Sequence, residues 1–419
     1  MKLSFFKLRP SLSALSWFWI EFFFLITVFF LPFSKSAAEI GISTSLILWI
    51  LRKFPWDERF PYQAVLTLPY ALFLFFTFVS LIHVPPAGLP IALRGAFKWV
   101  KYLGIFFMGF ELFQDARRQK RFIFIFILSM TLASLNGLYQ ASAGQDLVKH
   151  YSITAPDRYL RIKSSFSSPN DFAAFLVLAV PVSFFLWVKE KKWSVKSLCL
   201  ALVFILFGVL LILTLSRAAF FGLFISIILC LILHKKIAAA IIALGIPLIF
   251  NLSFVLRENF LRSFNLRDIT IIERLRFWKT TLRMIREHPF LGNGVNMFLQ
   301  KFPEFASSSE KVFGYAHNCL LQMWAEIGLF GVLAFFTPLL FVLAKEAAQK
   351  WASKETFTQR DAWLVGIAAF LIQSFFDTNF YALQASMIFW IGWSFVTASA
   401  ANVPTSAPPR TSDGKCAPT

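Results

Sequence analysis

Long apolar runs, separated by short charged clusters, repeat from one end of the chain to the other. Twelve such runs predict membrane spans near 15–33, 38–51, 62–82, 99–113, 122–141, 170–188, 197–215, 218–233, 237–256, 318–343, 362–376 and 381–399. A run of roughly 17–25 apolar residues crosses the hydrocarbon core of a bilayer as a helix. Backbone polar groups in lipid must be satisfied internally, so such runs read as helices and not as open strands. The expected fold is therefore all-α, a polytopic transmembrane helical bundle. Two stretches interrupt the rhythm. Residues 142–169 contain Gly144, Pro156 and Pro169 and predict an irregular loop. Residues 257–317 form the largest polar segment. Inside it, Ile271, Leu275, Trp278, Leu282 and Ile285 follow a 4, 3, 4, 3 spacing, which predicts one apolar stripe of an amphipathic helix. Arg276, Lys279, Arg283 and Arg286 fall on another face, and such a helix can lie on a membrane surface, apolar side down.

This pattern divides the chain into N-terminal transmembrane helices (1–164), a transmembrane core that includes the loop 257–317 (165–400), and a tail (401–419) rich in Pro, Ser and Thr that reads as disordered and cytoplasmic. No internal repeat is visible.

Composition agrees with the pattern. Of 419 residues, 58% are hydrophobic and 54 are Phe, with a mean hydropathy of +0.66. Soluble domains are not built this way. The net charge of +19 reads as topology and lipid contact, because no soluble segment remains to dock on nucleic acid. With the N-terminus inside, the inside segments collect Arg52, Lys53, Arg117, Arg118, Lys120, Arg121, Lys189, Lys191, Lys192, Lys235 and Lys236. The short outside loops are poorer in Lys and Arg, so the positive-inside bias supports this orientation. Lys2, Lys7 and Arg9 precede a first span with no convincing cleavage pattern, which predicts an uncleaved segment. Cys199, Cys230, Cys319 and Cys416 show neither disulfide nor zinc spacing.

Candidate chemistry lies where polar residues interrupt the expected outer face. Ser216-Arg217 separates two apolar runs with almost no loop; its Arg snorkels or clamps a phosphate. Ser168-Pro169-Asn170-Asp171 opens the sixth span, where Asn170 or Asp171 caps the helix or faces a ligand. Arg274 flanks the apolar stripe, four residues before Trp278, and needs an anion: Glu273, Glu287, a lipid phosphate or a pyrophosphate held in a two-pronged grip. Gln373, Asp377 and Asn379 sit at the outer end of the last hairpin. His317-Asn318 closes the long loop, and Glu326 stands alone nine residues into the apolar run that follows. A titratable residue inside a span marks a functional site or a structural hub. Asn170, Arg217, Arg274, His317 and Asp377 fall on one side of the expected membrane, which points to a single outward-facing site.

These residues resemble the O-antigen ligase and polymerase-like family of bacterial envelope proteins. Ser168-Pro169-Asn170, Ser216-Arg217, Arg274 with Trp278, His288-Pro289-Phe290-Leu291-Gly292-Asn293-Gly294, His317-Asn318 with Leu321, Glu326, Gly328 and Gly331, and Phe376-Asp377 carry the likeness. It spans about 165–395 and is strongest over 205–340. The resemblance implies a multi-pass glycosyltransferase of the bacterial inner membrane with its active site facing the periplasm. Such an enzyme moves a glycan from undecaprenyl pyrophosphate to an acceptor such as lipid A–core, without metal, nucleotide or other cofactor. By motif match, His317 is the catalytic residue. Arg217, Arg274, Asn318 and Asn170 contact substrate, and Glu326 and Asp377 support the site.

The residue types suit that chemistry. Displacing a sugar from a pyrophosphate puts negative charge on the leaving oxygen, which preorganised Arg groups stabilise. The attacking hydroxyl must lose a proton, and a neutral His accepts one near neutral pH. A polysaccharide repeat-unit polymerase and a protein O-glycosyltransferase share the pattern. A transporter would instead line a path through both leaflets with charge.

Overall fold

The computed structural model describes residues 10–53, 64–153, 161–191, 194–236, 269–307, 314–352 and 356–401. The expected span 237–256, the adjoining 257–268 of the long loop, and residues 402–419 of the tail lie outside these. Among the described residues the chain is helical. Its helices are α1 (Pro10–Phe30), α2 (Lys35–Lys53), α3 (Ala64–Val79), α4 (Leu89–Leu112), α5 (Ala116–Ala143), α6 (Pro169–Lys189), α7 (Val195–Leu213), α8 (Arg217–Leu233), α9 (Ile269–Glu287), α10 (Phe298–Phe305), α11 (Cys319–Ala352), α12 (Gln359–Ser374) and α13 (Leu383–Ala401). Helical turns at Ser80–His83 and Pro86–Gly88 link α3 to α4.

Five segments are long and apolar enough to cross a membrane: Leu66–His83, Ala116–Ala143, Pro169–Lys189, Val195–Leu213 and Cys319–Ala352. Trp17–Phe30, Arg217–Leu233 and Leu383–Ala398 are shorter apolar helices. The chain is thus a multi-pass membrane protein. The helix α4 begins at Leu89, ahead of the expected 99, because Lys98 and Lys101 interrupt the apolar run without ending the helix. Lys98 donates to the Tyr381 carbonyl at 2.8 Å, and Lys101 pairs with Glu39 at 2.6 Å.

The bundle pairs α1 with α2, α3 with α11, α4 with α13, and α12 with both α6 and α8. A dense aromatic core fills it. Trp390 is fully buried among Tyr70 at 5.5 Å, Phe335 at 5.8 Å and Phe389 at 5.6 Å, mostly edge to face. Such offset contacts favour the ring quadrupoles. Trp393 donates its indole N–H to Tyr70 Oη at 2.8 Å, so the buried polar tip is satisfied. At the crossing of α8 and α12, a Cβ on Gly222 would stand 2.5 Å from the Ala369 carbonyl. That close approach aligns the start of α8 with the end of α12.

The expected basic anchors gather at one end of the bundle. Trp17 lies between the Arg52 and Arg118 guanidinium groups at 4.8 and 4.6 Å, Glu21 pairs with Arg118 and Arg121, and Lys53 meets Glu111 at 2.9 Å. The candidate site residues occupy the opposite end.

The predicted amphipathic stripe is only partly the buried one. In α9 the inward residues are Thr280, Thr281, Met284 and Ile285, while Leu275 and Leu282 are exposed. The helix docks on α10 and α11. Thr281 can enter that interface because its hydroxyl donates to the Phe277 carbonyl at 2.7 Å.

Candidate functional site

Two chain segments cross at the mouth of the bundle. One is Tyr315–Asn318, which leads into α11. The other is Asp377–Tyr381, the turn between α12 and α13. His317 has φ of 49°, a left-handed conformation uncommon outside glycine and associated with functional sites when it occurs. Its Nδ1 lies 3.4 Å from Asp377 Oδ1. The imidazole is 38% exposed, whereas the carboxylate side chain is 12% exposed. One face of the His317 ring meets Phe277 of α9 at 6.1 Å between centroids.

Asp377 is the electrostatic centre. Burial works to raise its pKa, yet the hydrogen bond and charge of His317, the Thr378 amide at 2.8 Å and the charge of Arg274 together hold it below its ordinary value of 3.8. It is therefore an anion at neutral pH. Arg274 is partly buried, and its positive charge is one of the influences that favour this carboxylate's anion. The charge of Asp171 also reaches Asp377. Charges on three elements far apart in sequence thus act on one carboxylate.

The remaining predicted residues surround that centre. Asn170 accepts from Arg161 Nη2 at 2.8 Å through its side chain, and its carbonyl accepts from Gln373 Nε2 at 3.2 Å. Arg161 also donates to the Thr214 carbonyl at 2.9 Å. These bonds tie the start of α6 to the α7–α8 turn and the end of α12. The cap of α6 belongs to Ser168, whose hydroxyl accepts from the Asp171 amide at 3.1 Å; neither Asn170 nor Asp171 serves that role. Arg217 opens α8, one turn before Phe221, whose ring meets Phe376 at 6.2 Å, next to Asp377. Asn318 is buried, and its side-chain oxygen accepts from the Leu321 amide at 3.0 Å, capping the start of α11.

Glu326 lies below the mouth and binds protein groups. Its Oε2 accepts from the Asn296 amide at 2.9 Å and from Tyr381 Oη at 3.2 Å, and its Oε1 from Gln322 Nε2 at 3.4 Å. Around it the 288–296 loop is inserted into a break in α11. Gly328 has φ of 74° and ψ of 175° within that helix, and a Cβ there would stand 2.1 Å from the Phe290 carbonyl. The freed backbone groups are recovered by the loop: Asn293 N donates to the Ala325 carbonyl, Gly294 N to the Glu326 carbonyl and Leu329 N to the Pro289 carbonyl, each at 2.9 Å. The Gly292-Asn293-Gly294 turn is therefore the plug of a helix break.

Sequence reasoning did not single out Arg161, Phe277, Tyr315 or Tyr381. The first lies at the edge of a loop with no periodicity. The aromatic residues are hidden in a chain where aromatic residues are everywhere. Their position, two before His317 and four after Asp377, was the available signal for the two tyrosines.

The arrangement offers an imidazole open to the mouth, a fixed anion behind it, and cationic side chains on α8 and α9. It can accept a proton from a bound hydroxyl and hold an anionic leaving group. Among the described residues no three His, Cys, Asp or Glu side chains converge so as to hold a metal ion.

Residues 202–336 match the family described as O-antigen ligase. That segment runs from within α7 into α11 and contains Arg217, Arg274, His317 and Glu326. The chain is O-antigen ligase-like there, and the match supports glycan transfer of the ligase or polymerase kind. No curated protein matches the chain.

Proposed function

We propose that the protein transfers a glycan from undecaprenyl pyrophosphate to an acceptor hydroxyl at the periplasmic face of the bacterial inner membrane. The observation that carries this reading is the His317–Asp377 contact at the mouth of a helical bundle, with the charge of Arg274 acting on the same carboxylate. Asp377 orients the imidazole in the tautomer that donates Nδ1–H, which leaves Nε2 as the acceptor for a proton. The acceptor oxygen attacks the anomeric carbon and its proton passes to Nε2. The bond from that carbon to the pyrophosphate oxygen breaks, and lipid pyrophosphate departs with the electron pair. Arg274 and Arg217 stabilise the charge that develops on the leaving oxygen. Asn170 and Asn318 hold the edges of the site through the bonds they make within it. Lipid A–core is the acceptor under this reading, and membrane lipids surround the mouth.

The test is transfer of lipid-linked glycan in membranes carrying His317→Ala, Arg217→Ala or Arg274→Ala. A general base contributes about 10²–10⁴-fold, so His317→Ala should fall by at least the lower figure. Full activity in His317→Ala would end the assignment. Deleting the gene separates the two family activities. Unattached lipid-linked polymer accumulates if the protein is a ligase, whereas single repeat units on lipid A–core mark a polymerase.

A further inference from the structure

Glu326 is a buried carboxylate that the transfer chemistry above does not use. Two of its three hydrogen-bond donors lead back toward the mouth. Tyr381 Oη is one, at 3.2 Å. Gln322 is another, and its own Oε1 accepts from the Ala316 amide at 3.2 Å, the residue between Tyr315 and His317. The third, the Asn296 amide at 2.9 Å, ties the helix-break loop to the same carboxylate. A single side chain therefore fixes both crossing segments from below.

Those segments make two parallel contacts. His317 meets Asp377 at 3.4 Å, and two residues earlier Tyr315 lies against Tyr381, with ring centroids 6.1 Å apart and planes tilted by 30°. Tyr381 is braced edge-on by Trp99 at 6.3 Å and 87°, and Lys98 donates to its carbonyl at 2.8 Å. Tyr315 is 38% exposed and is the outer member of the pair. A rigidly backed aromatic ring thus stands open, beside the exposed imidazole, at the end of the bundle where the charged groups converge.

We propose that Tyr315, backed by Tyr381, is a platform for a pyranose ring, and that Glu326 is the positioning residue that holds it. This rests on the glycan-transfer reading. The axial C–H groups of one sugar face are weakly positive and apolar, and they complement the negative face of an aromatic ring. Sugar hydroxyls at the ring edge remain free for His317 and the polar rim. The platform would set one sugar of the donor or acceptor so that a hydroxyl or anomeric carbon faces Nε2. A tyrosine serving only as an interfacial anchor needs neither a second ring behind it nor a buried carboxylate holding that ring.

The test uses the full-length protein in detergent with methyl glycosides of glucose, galactose and N-acetylglucosamine as probes, read by saturation-transfer NMR. The wild type should pass saturation to C–H protons on one sugar face. Tyr315→Ala should abolish that signal and Tyr315→Phe should keep it. In the transfer assay, Tyr315→Ala should raise KM for the glycan substrate about 3- to 10-fold while kcat changes less. Glu326→Gln, which can still accept from Tyr381, should stay near wild type, whereas Glu326→Ala should reproduce the KM rise. Should Glu326→Ala not fold, the Tyr315 pair carries the test alone. Equal saturation and equal KM in wild type and Tyr315→Ala would overturn the platform, as would a Tyr315→Phe defect as large as that of Tyr315→Ala. Loss of the sugar signal in Tyr315→Ala with full activity in His317→Ala would keep the platform and remove the base.

Discussion

His317 and Asp377 come from two separate interhelical segments, 60 residues apart, and meet at 3.4 Å. The acid is the more buried partner and the imidazole the more open one. A carboxylate behind a histidine fixes which ring nitrogen carries the proton and stabilises the cation that forms on proton transfer. Asp377→Asn retains the shape and removes the charge. Transfer should fall on the order of 10²-fold with the substrate KM little changed. The check is steady-state transfer in reconstituted vesicles. Unchanged kcat would show that Asp377 serves only the fold.

The charge of Arg274, on α9, acts on the same carboxylate. If it grips a pyrophosphate with a planar fork, a lysine cannot replace it, because an ammonium is a point charge without the paired geometry. Both Arg274→Ala and Arg274→Lys should raise the donor KM. A hydrogen bond to a charged group is worth about 1.5–3 kcal/mol, so the rise expected for alanine is about tenfold or more. Full rescue by lysine would reduce the role of Arg274 to charge alone.

The loop that plugs the α11 break is held at its start by two stacked imidazoles. His83 and His288 lie 3.7 Å apart with a 10° tilt, and His83 Nδ1 stands 2.8 Å from the Gly292 carbonyl. Burial, the neighbouring His83 and the charge of Lys301 lower the His288 pKa below 6.5, while Glu287 opposes them. A lowered folded value means that the fold prefers the neutral ring. Its stabilising contribution is complete above pH 6.5 and is lost as the pH falls through the lower folded value. Amide exchange across 288–297, corrected for intrinsic rates, should therefore quicken between pH 7 and pH 5. His288→Phe should keep the stacking and suppress that change. An identical acid response in the variant would place the titration elsewhere.

Helix positions were largely legible in the sequence because apolar length and charge clusters act locally. The ends of α6, α7 and α8 fall within a few residues of expectation. His317, Asn170 and Asp377 were legible as a set because the span pattern alone puts all three at the same end of their helices. What joins them was not legible. The Glu326–Tyr381 bond links residues 55 apart, and the Asn170–Gln373 bond residues 203 apart; no periodicity encodes either. The protein-facing side of α9 was not legible because Thr281 satisfies its hydroxyl within its own helix, so a polar residue occupies an apolar interface. Gly328 gave no sign of a helix break, since a glycine in an apolar span is ordinary.

That glycine carries the last prediction. At φ of 74° a side chain meets backbone strain costing on the order of 1–3 kcal/mol. At Gly328 the added Cβ would also lie 2.1 Å from the Phe290 carbonyl, 2.3 Å from its carbon and 2.4 Å from the Leu291 amide nitrogen. These are backbone atoms, so no rotamer change relieves the overlap and the loop must leave the break. Gly328→Ala should therefore cost more than the strain alone and lower the thermal midpoint in detergent. It should also expose the Asn293, Gly294 and Leu329 amides, which the break and its loop now satisfy. Gly331→Ala serves as the control. Its added Cβ meets chiefly the Ile327 side chain, and its backbone is helical, so the loss should be smaller. Faster exchange at those three amides in Gly328→Ala but not in Gly331→Ala is the expected result. Equal protection in both would mean that α11 runs unbroken and that the 288–296 loop is held by other contacts.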